Sequence, residues 1–183
     1  MIVAMADGVS FSSIGLGLKS HNIPVLPPTK DNTLELADRD GALDFGSTYG
    51  PRTFNLECIV MADDSTIDYH KRVAQVAALF NIRKGDIVFT FSDRPGKRYI
   101  GRYAGTMDIQ KLIFDGEVTI PIKMSENPFP ESDERVFETT ITQSPELVSI
   151  ESDGDERATP LIVLTNTGLN IIHSFTIYNE YEI

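Results

Sequence analysis

Tryptophan is missing altogether, cysteine occurs once and histidine three times among 183 residues, and each scarcity removes a class of chemistry. Cys58 cannot close an intrachain disulfide; in a strand pattern it is expected as a small buried apolar residue, in keeping with assembly in a reducing compartment. His21, His70 and His173 lie far apart, in no His-x-x-His or His-Glu-x-x-His spacing and with no cysteine pair beside them, so neither a metal site nor a cofactor is expected. Apolar runs fall short of the roughly 20 residues that cross a bilayer, and no basic stretch leads into an apolar core at the start. The expectation is a soluble, unexported protein with no membrane partner. A Gly-x-Ser-x-Gly elbow is absent. Gly15-Leu16-Gly17 begins like a dinucleotide loop, yet Ser20 holds the place of the third glycine and no helix follows, which leaves a bend.

Basic residues are scarce in one region only. Residues 1–125 carry 14 Lys and Arg against 15 Asp and Glu, whereas residues 126–156 hold ten carboxylates and the single base Arg135, within a net charge of -11. A block of this kind is a solvated linker or loop face, or a contact for a basic partner. Specific nucleic-acid binding needs clustered Lys and Arg, which the chain lacks.

What is present is β punctuation. Residues 34–60 combine an acidic turn, a Gly-rich second turn and a strand in which Thr53, Asn55 and Glu57 alternate with Phe54, Leu56 and Cys58. Residues 10–18 and 23–28 are short apolar pieces broken by Gly and Pro, expected as edge strands and turns. One helix is expected from Asp63-Asp64-Ser65, with Ser65 as cap, an inner face of Ile67, His70, Val73, Ala74, Ala77 and Phe80, and a stop at Asn81 and Gly85. A hairpin follows: Ile87, Phe89 and Phe91 share one face, residues 92–97 form a basic Pro-Gly tip, and Tyr99 and Tyr103 lie on the return. In a second hairpin Asp115-Gly116 is the two-residue turn and Val118, Ile120, Ile122 and Met124 the buried series, with Pro121 requiring an edge or an unpaired position. Composition shifts at Glu126-Asn127-Pro128-Phe129-Pro130, giving a first domain of residues 1–129 and an acidic second segment, 130–183. Short strands are expected there at 136–141, 161–164, 170–172 and 175–178, with a turn at 152–156. That is too little to bury a core alone.

Close carboxylates have structural explanations. Asp63-Asp64 opens the helix, and Asp40-Gly41 is a turn dipeptide, with Gly41 at positive φ and Arg39 as local counter-charge. Arg52, after Gly50-Pro51, is expected to orient a loop through an ion pair with Asp38, Asp40 or Asp44. No catalytic residue is assigned, and the protein is not expected to be an enzyme.

The order of these features resembles the distal tail (Dit) proteins of long-tailed, non-contractile bacteriophages. The residues that carry the likeness are Val25-Leu26-Pro27, the turn Ala37-Asp38-Arg39-Asp40-Gly41, Tyr49-Gly50-Pro51-Arg52 leading into Asn55-Leu56-Glu57-Cys58, then Tyr99-Ile100-Gly101-Arg102-Tyr103 and the ending Asn127-Pro128-Phe129. They span residues 26–129, a little over half the chain. Ala37 departs from the glycine usual at that turn.

The resemblance implies a mainly β protein: a β-sandwich with one flanking α-helix and a protruding β-hairpin, closing into a hexameric ring that joins the tail tube to baseplate or tail-tip proteins, with DNA only as passing cargo. Its place would be the virion, after assembly in the bacterial cytoplasm. It also implies a second, galectin-like β domain, of which residues 158–163 and 174–179 look like strands and the rest is not present. Phe89, Phe91, Tyr99 and Tyr103, with the tip Arg94, Pro95, Gly96 and Lys97, are the candidate subunit or ring interface. Asp40, Gly41, Gly50, Pro51 and Arg52 are structural turn residues. A tail-tube subunit and a carbohydrate-binding module are the alternatives. The second is disfavoured by the missing tryptophan and by the want of a paired carboxylate site.

Overall fold

The computed structural model describes residues 2–62, 67–111, 115–151, 154, 156 and 159–180. Among the described residues ten strands form, β1 (Ala4–Ala6), β2 (Val9–Ser10), β3 (Leu16–His21), β4 (Thr29–Glu35), β5 (Ala42–Tyr49), β6 (Arg52–Val60), β7 (Ile87–Phe91), β8 (Arg98–Tyr103), β9 (Ile109–Lys111) and β10 (Gly116–Met124), with one α-helix, α1 (Ile67–Leu79). The larger sheet runs β2-β1-β7-β8-β10-β6-β3 with β9 on β10, and β4-β5 is a separate two-stranded sheet. Every pairing is antiparallel. Two residues before β1 the chain also reaches β3, where Ile2 N–H donates to the Leu18 carbonyl at 3.3 Å. The two ends of the sheet are thus tied by the N-terminal segment, and the β-sandwich closes part of its own edge.

The sandwich forms because β6 and β10 are half apolar at a period of two. Their nine-residue ladder sets Phe54 against Ile122, Leu56 against Ile120 and Cys58 against Val118. All six are at most 3% exposed, as are Ile87, Phe89 and Phe91 of β7. Each fully buried aliphatic or aromatic side chain contributes about 1.5–3 kcal/mol. Cys58 is buried as expected, and burial, with Glu57 adding to it, pushes its thiol up to about 12.

Pro121 stands in the central strand β10, not at an edge. Its carbonyl accepts from Ala104 N–H at 3.0 Å, and the return bond it cannot donate falls just beyond the end of the β8 ladder, in the gap before β9, so the proline stands where that ladder stops. Gly116 is a strand residue, paired with Lys111, and not half of a two-residue turn; the connection is longer, and residues 112–114 lie outside the described residues. A Cβ on Gly116 would come within 2.7 Å of Ile109 Cγ2 and Tyr69 Oη. The glycine therefore serves the close approach of α1 rather than a turn.

The expected start of α1 at residues 63–65, its Ser65 cap included, lies outside the described residues. Its inner face is rotated from the expected one: Tyr69, Val76 and Phe80 are buried, Val73 packs against the core, and His70, Ala74 and Ala77 are exposed. Spacings of three and four fit both sets, and the aromatic rings decide. Phe80 stacks on Phe89 and meets Phe11 edge-on, each with centroids 6.1 Å apart. Asn81, extended at ψ 114°, follows the end of α1 as expected, and its side chain caps the short 3-10 turn that comes next at Arg83 N–H, which Gly85, at φ 91°, ends.

The first compact unit is Met1–Arg135 and the second Val136–Ile183. The division falls beyond the composition shift at 126–130 because Glu131 and Arg98 exchange both backbone hydrogen bonds, at 2.7 and 2.8 Å. Among the described residues of the second unit there is no helix or strand, so the segments at 136–141, 161–164, 170–172 and 175–178 are not strands, and Leu147, Leu161 and Tyr178 are exposed. Short strands need partners to hold a ladder. The turn expected at 152–156 falls largely outside the described residues.

Candidate assembly surfaces

The β7-β8 hairpin, expected to protrude and to form a contact surface, is instead interior to the sheet, flanked by β1 and β10. Phe89, Phe91 and Tyr99 are 0%, 3% and 2% exposed. Tyr99 meets Phe54 and Phe91 at ring centroid distances of 6.2 and 5.7 Å. As interface residues these three are corrected: their apolar face is covered by the protomer's own core. Tyr103 is half-buried against that core, and burial, then Asp108, raises its phenol above the ordinary value.

The tip of this hairpin is its most exposed part. Pro95, Gly96 and Lys97 are exposed, with Gly96 at φ 70°. Arg94 turns inward, donating to Tyr99 Oη at 3.1 Å and to the Ile23 carbonyl at 3.5 Å, with its guanidinium 6.0 Å from the Tyr99 ring centroid. Beside it the His21 imidazole donates to Asp93 at 2.8 Å. The first contact fastens the segment between β3 and β4 to the tip and the second fastens the end of β3, while Val25 and Leu26 are left 90% and 60% exposed.

Arg52 makes no ion pair with Asp38, Asp40 or Asp44. It is 2% exposed, reaches the Val25 carbonyl at 3.4 Å and leaves its Nε without a hydrogen-bond partner among the described residues. Burial lowers its pKa; nearby Tyr99 opposes this and Arg94 adds to it. The reason is parity: Arg52 opens β6 on the same face as Phe54 and Leu56, while Asp38 and Asp40 are exposed in the turn between β4 and β5 and Asp44 is exposed on β5. Gly50 N–H donates to the Pro28 carbonyl at 2.7 Å, closing the base of those two strands before the exposed Pro51. Tyr49 packs edge-on against Phe129 there, centroids 5.2 Å apart.

The element that does project is the arm made of β4 and β5. All of β4 is exposed, and in β5 only Leu43 is half-buried. The chain turns at residues 36–39, where Arg39 N–H donates to the Leu36 carbonyl at 3.4 Å and Asp38 takes φ 62°. Asp40 follows, exposed, and Gly41, at φ 81°, re-enters the ladder. Gly46, at φ 88°, is not a turn but a bulge inside β5, held by Asp44 Oδ1 accepting its N–H at 2.9 Å. Leu34 stands directly opposite Leu43, and two-residue alternation brings Phe45 to the same face, with Leu36 at the tip. Leu34 is 49%, Leu36 42% and Phe45 67% exposed; the opposite face carries Thr33, Glu35 and Asp44. Sequence reasoning missed the arm because Leu34, Leu36, Leu43 and Phe45 alternate with polar residues as on any half-buried strand, and a period of two does not tell whether the protomer covers the apolar face. The available signal was that alternation on both sides of the turn residues at 38–41.

Among the described residues no group of three or more His, Cys, Asp or Glu could hold a metal ion.

Comparison with known proteins places this geometry. A family model described as phage tail protein RIFT-related domain matches residues 9–124. A search of curated proteins gives no match. Among solved structures, the chain is similar to the crystal structure of SPP1 Dit (gp 19.1), a paradigm of the hub adsorption apparatus in phages that infect Gram-positive bacteria. The TM-score is 0.62 at 21% identity, over 73% of this chain and 53% of that one. The present chain thus spans about half the length of that structure, and the likeness is one of fold.

Proposed function

The chain belongs to the phage tail protein RIFT-related domain family, and from that premise we propose that it is a Dit-type adaptor that closes into a hexameric ring at the distal end of the tail. It is a phage tail protein, and its place is with the virion. In the proposed role it joins the tail-tube protein above to tail-tip or baseplate proteins below, with DNA passing through as cargo, and it works as a scaffold without chemistry of its own.

The carrying observation is the arm. A two-stranded sheet alone is marginal in water, and this one leaves Leu34, Leu36 and Phe45 uncovered on one face. A neighbouring copy would both cover that face and hold the strands, and repetition of one such contact about an axis generates a ring. The near balance of 14 basic and 15 acidic residues in residues 1–125 also suits a channel that DNA traverses, because a strongly basic lumen would retain phosphates. That Val136–Ile183 is part of a galectin-like domain belongs to the same proposal and rests on the resemblance of residues 158–163 and 174–179 alone, since no strand forms there among the described residues.

Electron microscopy of the purified protein tests the role. Discrete single or double rings are expected. Long tubes would assign the chain to the tube itself, and monodisperse single protomers would overturn the ring.

A further inference from the structure

The outer face of the N-terminal strands carries a second uncovered surface. Val3, Met5 and Val9 are 60%, 37% and 39% exposed. Val3 and Met5 line a shallow groove with Phe91, Pro95, Lys97 and Arg98, about 310 Å³ in volume. That is at the bottom of the range for small-molecule pockets, and its walls are mainly apolar, with three basic side chains, Arg94, Lys97 and Arg98, against the single carboxylate of Asp133. Lys97 makes no ion pair among the described residues. Arg98 is loosely matched, 3.8 Å from Glu131 and 4.0 Å from Asp133.

The arm has the complementary character. It is apolar on one face, and residues 29–49 hold five carboxylates against Lys30 and Arg39, with Asp38 and Asp40 exposed at the tip beside Leu36. Neither aspartate has an ion-pair partner among the described residues. We infer that the arm of one copy seats in this groove of the next copy, Leu36 and Phe45 covering Val3 and Met5 while Asp38 and Asp40 approach Lys97 and Arg98. The occupant is a second copy of this chain, and the inference rests on the ring reading above while specifying its contact. The contact is heterologous, arm to groove, so each protomer gives and receives one, as closure into a ring demands. Charged pairs at the rim fix register and steer encounter.

Cysteine cross-linking of the full chain tests the contact. Phe45→Cys and Met5→Cys change exposed side chains, and the native Cys58 is buried. Oxidation of the two variants mixed together is expected to give covalent dimers, with little from either variant alone. Dimers from Phe45→Cys alone would replace the groove by an arm-to-arm contact, and no dimers in any mixture would overturn it. Charge reversal supplies a second readout: Lys97→Glu and Asp40→Lys should each lower the oligomeric fraction, and the two variants combined in one chain should restore it. Unchanged mass in both single variants contradicts the contact. Oligomers that persist without cross-links leave the ring standing and remove the groove. Single protomers in the unmodified protein remove both.

Discussion

Replacing Phe89 by alanine is expected to destabilise the first unit by about 3–5 kcal/mol and to lower its melting temperature sharply. Phe89 is 0% exposed and lies under α1, stacked on Phe80, with the neighbouring strand set by Val88 against Ile100 and Phe89 against Tyr99. Truncation leaves a cavity that the flanking strands β1 and β8 cannot fill without breaking their ladders. Domains of this kind are stable by only about 5–15 kcal/mol in total, so one such loss is a large share. A thermal or denaturant melt decides the matter. A folded, equally stable variant with reduced oligomer mass would return Phe89 to an intersubunit surface and contradict the interior placement of β7 and β8.

Leu34→Ser combined with Phe45→Ser is expected to do the opposite: to abolish assembly while leaving the monomer's melting temperature within the noise. Both side chains are about half or more exposed, at 49% and 67%, and substitutions of this kind away from caps and core change monomer stability by about 0.5 kcal/mol or less. At an interface the same groups are anchors. Losing two of them, at about 2 kcal/mol each, weakens each contact by nearly a thousandfold, since about 1.4 kcal/mol is a factor of ten. The check is sedimentation or light scattering beside a melt on the same sample. Retained oligomers would show that the arm's apolar face is covered by something other than a neighbour.

These two changes separate what was legible in the sequence from what was not. A period of two identifies which side of a strand is apolar, and β6 and β10 follow it: Leu56 and Ile120 are both fully buried and face each other across the ladder. The same period in Ile87, Phe89 and Phe91 also identifies the face, but not whether the protomer or its neighbour covers it. Covering depends on pairing between distant segments, here β1 with β7 and Ile2 with Leu18. The helix was legible as a helix; its rotation was not, because Ala74 and Ala77 fit either side and Tyr69 has a polar end that hides its buried ring. Arg52 looked like a surface ion-pair residue because of its charge, whereas strand parity turns it inward. The arm was hardest to see, since Leu34, Leu36, Leu43 and Phe45 alternate with polar residues as on a half-buried strand, and nothing in that period shows that the protomer leaves the face uncovered. In the acidic second unit the reverse holds: an apolar run at 161–164 and an alternation at 175–177 read as strands, but no ladder partner stands beside them among the described residues.

The turn residues divide along the same line. Gly41 has the positive φ expected of it, a requirement of local chain geometry. Gly50 does not, and acts through its N–H at the base of the arm.

The central claim is self-closure of one protomer type, and the mass of the unmodified protein in solution tests it most directly. Light scattering over a range of concentrations should find a species of six protomer masses that neither grows with concentration nor dissociates on moderate dilution. A single protomer mass at every concentration, or a mass that rises without limit, would contradict the account.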